Sequence, residues 1–98
     1  MAERPRALVL DPADNVAVAL VDLARGEAVV PPSFASVTLR DEVRVGHKLA
    51  LRPIGTGESV RKYGEVIGVA SADIAAGEHV HVHNVVSARL PAPAGATR

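Results

Sequence analysis

Leu23-Ala24-Arg25-Gly26-Glu27-Ala28-Val29, Ile54-Gly55-Thr56-Gly57-Glu58-Ser59-Val60 and Ile74-Ala75-Ala76-Gly77-Glu78-His79-Val80 are three renderings of one phrase, and they decide the fold. Each has an apolar residue, two spacers, then Gly-Glu-x-Val. A looser fourth copy, Val43-Arg44-Val45-Gly46-His47-Lys48-Leu49, keeps the anchor and the glycine. The unit reads as a buried anchor, a tight turn whose Gly takes positive φ, and a departing strand with alternating side chains. The glycines at 26, 46, 57 and 77 are separated by 20, 11 and 20 residues, the same in either direction, which predicts two similar halves about a pseudo-twofold. Similar turns also occur in unrelated small β proteins, so the echo alone does not name an architecture.

Outward from these units, Val-rich segments end at Gly, Pro or Asp every few residues, and this predicts an all-β chain. Strands are expected at 15–21, 35–39, 48–51, 59–62, 65–70 and 79–85. Helix competes most strongly at 16–25, where Ala and Leu are good helix formers. The alternation of Val16, Val18 and Leu20 favours a strand there. Residues 1–14 read as an N-terminal extension, 15–87 as the β domain, and 88–98, with Pro91, Pro93 and Gly95, as a flexible tail.

Ninety-eight residues make one domain with a modest core. Phe34 and Tyr63 are its whole aromatic complement, so the core must come from Val, Ala, Leu and Ile, with strands packed closely or a partner surface assisting. Eleven basic and eleven acidic residues cancel, which with so few aromatics argues against a nucleic-acid partner. The absence of Cys removes disulfides, thiolate metal sites and thiol nucleophiles, and fits a reducing compartment. The apolar run after Arg6 stops at Asp11, too short for a signal segment or a membrane span. The expectation is a soluble, cytoplasmic protein with no membrane partner.

His79, His81 and His83 alternate with Val80 and Val82, so a strand through them would put three imidazoles on one face. Two His at i and i+2 can close on one divalent metal with help from another segment. His81 and His83 are the candidate ligands, with His79 less well placed. A solvated strand face would use the same residues with no ligand. Asn84 ends the row as a candidate substrate contact. His47, exposed at a strand entrance after Gly46, is the candidate catalytic acid or base, with Lys48 beside it as a substrate-binding cation. Lys62, Tyr63, Gly64 and Glu65 supply a cation, a phenol, close backbone approach and a carboxylate, a set suited to a carboxylate and hydroxyls. Tyr63 would also serve as a half-buried ring. No nucleophile elbow, phosphate loop or dinucleotide fingerprint is present.

Three motifs carry a family resemblance: residues 38–52 with Gly46-His47-Lys48, residues 62–68 with Lys62-Tyr63-Gly64-Glu65, and residues 72–84 ending His79-Val80-His81-Val82-His83-Asn84. Together they resemble the SAF domain of altronate dehydratases and the wider group of galactarate dehydratase and sulfolactate sulfo-lyase. The resemblance implies a β-clip fold similar to type III antifreeze protein, assembled with a large lyase chain. It implies a reaction that removes a proton next to a carboxylate and expels the neighbouring group, with a divalent metal such as Fe2+. The galactarate branch lacks the histidine row, which places this chain nearer the altronate and sulfolactate branches. The stretch 27–36 with Pro31 and Pro32 fits none of the motifs.

The expectation is therefore the small subunit of an altronate dehydratase-like hydro-lyase acting on a sugar acid or related hydroxy acid, inactive alone and completed by a large subunit. The alternatives are a sulfolactate sulfo-lyase-like carbon-sulfur lyase subunit, a free-standing sugar-acid or metal-binding module without turnover, and a purely structural domain.

Overall fold

A computed structural model of the chain describes residues 5–32 and 34–87. It is all β, with no helix among the described residues. The strands are β1 (Ala7–Leu8), β2 (Val16–Ala19), β3 (Ala28–Val29), β4 (Val37–Thr38), β5 (Lys48–Ala50), β6 (Ser59–Lys62), β7 (Glu65–Ala70), β8 (His79–Val80) and β9 (Val85–Ser87). They form antiparallel sheets in the orders β1-β2-β5-β8, β3-β4 and β6-β7-β9. The small β-clip expectation agrees with this set of short strands and turns.

The repeated unit organises the fold. Leu23 and Val43 exchange both backbone hydrogen bonds, at 2.8 and 2.9 Å, and Ile54 and Ile74 do the same at 2.8 Å. Within each pair the bonding is unchanged when the units are exchanged. Gly26 N–H donates to Leu39 C=O and Gly46 N–H to Ala19 C=O, while Gly57 donates to Ala70 and Gly77 to Ala50. Each unit therefore pairs with the one 20 residues away, and adding 31 to every number carries the first module onto the second. These bonds show a local exchange symmetry inside each half, and the two halves repeat one another, as the spacing predicts. All four glycines have φ between 84° and 87°, the left-handed turn the sequence requires.

The two modules build two aliphatic cores with the central sheet between them. Pleating sends Ala17, Ala19 and Leu49 into the cluster containing Leu23 and Val43, and Val16, Ala50 and Val80 into the one containing Ile54 and Ile74. Neither aromatic is in a core: Tyr63 is 53% exposed and Phe34 is half-buried.

Several boundaries differ from the sequence reading. Strand β7 is as predicted, and 15–21 shrinks to Val16–Ala19. The stretch predicted as one strand at 79–85 is instead β8 and β9 joined by a turn, in which Asn84 N–H donates to His81 C=O at 3.1 Å. Residues 7 and 8, assigned from sequence to an extension, pair with β2, and Ala7 is buried. The expected flexible tail at 88–98 lies outside the described residues.

Two glycines separate turn strain from packing. A Cβ at Gly26 would meet nothing, whereas one at Gly77 would collide with the Thr38 carbonyl oxygen. Gly26→Ala is expected to cost about 1–2 kcal/mol, the left-handed strain alone. Gly77→Ala should cost about 1–3 kcal/mol more, because backbone must move. Urea unfolding of both variants tests this, and equal losses would contradict the close packing at Gly77.

Candidate functional site

The site grows from the one copy of the repeat that breaks its own rule. In three copies the Glu folds back on its turn: Glu27 Oε1 accepts from Ala24 N–H at 2.9 Å, Glu58 Oε1 from Gly55 at 2.9 Å and Glu78 Oε1 from Ala75 at 2.8 Å. In the looser copy at 43–49 the equivalent residue is His47, and its imidazole turns outward to another module. Its Nδ1 lies 2.9 Å from His79 Nε2.

Register explains the meeting. β5 and β8 pair Lys48 with Val80 and Leu49 with His79, so one step further along the same ladder sets His47 opposite His81. Those rings stack with centroids 4.7 Å apart, and His79 lies 5.1 Å from His47 and 5.4 Å from His81. One nitrogen from each of His47, His79 and His81 falls within 4.8 Å of the others. Nitrogens bound to one ion at about 2.1 Å sit about 3–3.5 Å apart, so small side-chain adjustments would let the three share a divalent ion.

The cluster differs from the ligand set expected from sequence. Because the strand stops at Val80, His83 leaves the row, and its ring is tilted 37° against His79 at 5.4 Å. His47 and His79 join His81, and His83 stands outside the three-nitrogen group. His79 is held below the ordinary imidazole range by burial first, then by His47, His83 and His81, with Asp41 partly opposing. His81, although at the surface, is lowered by partial desolvation and by His47, Lys48 and His83. Both rings are therefore neutral at pH 7, the form that ligates.

Lys48 borders the cluster. It lines a pocket of about 210 Å3 with His81, over Ile67, Val80 and Val85. Burial and then the nearby Lys62 ammonium lower its pKa. Lys62 arrives from the β6–β7 hairpin, whose turn is Tyr63-Gly64 with φ of 58° and 75°. Positive φ at both positions is the type I′ geometry that suits the twist of a tight hairpin. Lys62 Nζ lies 4.4 Å from the Tyr63 ring centroid. Lys62 is thus near enough for its ammonium to act on that of Lys48. Glu65 pairs with Lys62 across the hairpin and is exposed.

Asn84 occupies a different place from the substrate-facing one expected. It is 3% exposed, its Oδ1 accepts from His81 N–H at 2.9 Å and its Nδ2 donates to His79 C=O at 2.8 Å. Asp14 and Asp41, missed by the sequence reading, hold the Tyr63-Gly64 turn and the His79 N–H respectively. Their only sequence signal was position, Asp14 just before a strand and Asp41 at the end of Thr38-Leu39-Arg40-Asp41.

Comparison with known proteins agrees with this arrangement of motifs. The model of the altronate/galactarate dehydratase SAF domain matches residues 5–88. The chain belongs to this family. Altronate dehydratase of Escherichia coli (strain K12) is 59% identical over 71 residues, covering 72% of this chain and 14% of that enzyme. Altronate dehydratase of Bacillus subtilis (strain 168) is 46% identical over the same length, again 14% of the relative. The (2R)-sulfolactate sulfo-lyase subunit alpha of Chromohalobacter salexigens is 47% identical over 51 residues, 52% of this chain and 54% of the subunit. This SAF chain therefore spans about one-seventh of the dehydratases and about half of that subunit. The word "subunit" in the last name marks a multi-subunit enzyme there. No helix among the described residues is long and apolar enough to cross a membrane.

Proposed function

We propose that this SAF chain is the small subunit of a carbon-oxygen lyase of the altronate dehydratase type, acting on a sugar acid or related hydroxy acid in the cytoplasm. The observation that carries the reading is the meeting of His47, His79 and His81 beside two lysines. Three imidazole ligands favour a borderline ion such as Fe2+ or Zn2+ over Mg2+ or Ca2+, and three protein ligands leave positions open for substrate. When bound, such an ion supplies Lewis acidity to a substrate oxygen.

This chain's own groups bind and orient. Lys48 and Lys62 neutralise the substrate carboxylate, and the Tyr63 phenol, held at the surface, reaches a hydroxyl. With His47 engaged as a ligand, the base that removes the α-proton comes from the large lyase chain, the partner that completes the site. Because the proton-removing base is assigned to the large chain, this chain is expected to be inactive alone.

A carbon-sulfur lyase is the second reading. The sulfo-lyase alpha relatives are themselves short chains, 54% and 79% covered by their matches to this one. The matches to both altronate dehydratases run over 71 residues against 51 for the Chromohalobacter salexigens subunit, and the Escherichia coli enzyme reaches 59% identity, which favours the hydro-lyase. Coexpression with a large chain of the same lyase family, followed by assays on altronate, galactarate and sulfolactate, tests both. Turnover that needs both chains and a divalent ion is expected. Turnover by the purified small chain alone, or by a fully metal-free complex, would overturn the proposal.

A further inference from the structure

The ladder that carries His79 toward His47 is too short to fix His81. The pairing of β5 with β8 ends at Lys48 and Val80, and the chain turns at once. A site that must hold three nitrogens to a few tenths of an ångström therefore needs another device for its last ligand. Two side chains from outside the ladder meet that need, each through the backbone of a histidine.

Asn84 is the first. Its amide is buried and both ends are used, the oxygen on His81 N–H at 2.9 Å and the nitrogen on His79 C=O at 2.8 Å. One planar group thus spans the backbone from the carbonyl of one candidate ligand to the amide of the other. Its own backbone is anchored in turn, because Asn84 C=O accepts from Ser71 N–H at 2.9 Å. The distance along the chain between the His79 and His81 rings is set by this amide rather than by a sheet.

Asp41 is the second. Its Oδ2 accepts from His79 N–H at 2.9 Å, while Asn84 Nδ2 holds the carbonyl of the same residue. The segment that brings it there is locked onto the repeat unit at 74–80. Arg40 N–H donates to Gly77 C=O at 2.9 Å, and Gly77 packs so tightly on Thr38 that no side chain fits between them. Among the described residues Asp41 makes neither of the two ion pairs, and its carboxylate is committed to the His79 backbone. Imidazole ligands bring no negative charge, so a divalent ion held by three of them keeps its two positive charges. A carboxylate bonded to the His79 backbone favours that state over the empty one.

We infer that Asn84 and Asp41 are positioning residues for the three-histidine centre: Asn84 fixes the spacing of His79 and His81, and Asp41 orients His79 and supplies the negative charge that favours a bound dication. This rests on the proposal that His47, His79 and His81 share an ion.

The test uses the full chain titrated with Co2+, followed by visible absorption, with thermal unfolding of the metal-free protein measured in parallel. Asp41→Asn keeps an oxygen for His79 N–H and removes the charge. It is expected to bind Co2+ about 10–100-fold more weakly while the metal-free protein unfolds at a nearly unchanged temperature. Asn84→Asp keeps the acceptor for His81 N–H and loses the donor to His79 C=O. It is expected to change the shape and intensity of the Co2+ bands as well as the affinity. If Asp41→Asn does not fold, Asp41→Ser, whose hydroxyl can accept the same bond, carries that arm. A wild-type chain that takes up no Co2+ overturns the metal reading itself. A wild-type chain that binds Co2+, with variants that match it in affinity and spectrum, overturns this inference and leaves the metal reading standing.

Discussion

His47→Gln is expected to weaken divalent-metal binding by about two to three orders of magnitude, a loss in proportion to one ligand's share of a metal-binding free energy of about 10–16 kcal/mol. Gln has a similar reach but offers a neutral amide oxygen in place of an imidazole nitrogen, and it cannot complete a set with His79 and His81. Turnover of the assembled enzyme should fall by about two to four orders of magnitude. The fold should survive, because the backbone bonds of residue 47, its N–H to Arg44 C=O and its C=O from Ala19 N–H, do not involve the side chain. Calorimetric titration with Zn2+ separates the two roles open to this histidine. If His47 is a ligand, metal affinity and turnover fall together. If it moves a proton, as its sequence context first indicated, the variant keeps wild-type metal affinity and loses turnover alone. Wild-type values for both would remove His47 from the site.

The repeat made the fold legible because its signals are local. An apolar anchor, a glycine that must take positive φ and an alternating strand are all contained within seven residues, and Gly26, Gly46, Gly57 and Gly77 behave as that pattern requires. The aliphatic core was legible for a similar reason, since composition left nothing else to fill it. What escaped was non-local. Alternation at His79, His81 and His83 looks like a strand face, yet only the buried Asn84 amide, capturing His81 N–H, reveals that the chain turns. The pairing of His47 with His81 depends on the β5–β8 register, which no stretch of sequence states by itself. One clue was present: His47 stands where three other copies carry a Glu that closes its own turn, and a residue that departs from a repeat's structural rule is free for another task. Short strands escaped as well. β1 has two residues and β3 two, below the length at which alternation can be read.

Asp14→Ala is the second large effect, and it falls on a residue that the sequence placed outside the domain. The Asp14 carboxylate is 7% exposed and gathers three backbone N–H groups, Gly64 on Oδ1 at 2.8 Å, and Tyr63 at 3.1 Å and Asp11 at 3.2 Å on Oδ2. Tyr63 is the one non-glycine residue with positive φ among those described, a conformation that costs an ordinary side chain about 1–2 kcal/mol. Two of the three bonds fall on that strained turn, so the carboxylate is what offsets its cost. Asp11 closes the arrangement from the other side: its own Oδ1 accepts from Ala13 N–H at 2.9 Å, and its carboxylate packs so near Gly64 that a Cβ there would lie 2.8 Å from Oδ2. Removing Asp14 strands N–H donors that the rest of the turn cannot satisfy, and a loss of about 2–4 kcal/mol is expected in urea unfolding. Asp14→Asn, which keeps one acceptor oxygen and turns an N–H toward the other donors, should lose about half as much. The same turn presents Tyr63 and carries Lys62 beside Lys48, so in the assembled enzyme Asp14→Asn should raise the substrate concentration needed for half-maximal rate more than it lowers the maximal rate. Stability unchanged in Asp14→Ala would mean that the hairpin holds its own turn. A stability loss with unaltered substrate dependence in Asp14→Asn would confine the hairpin to a structural part, and would leave substrate recognition to Lys48 and the histidines.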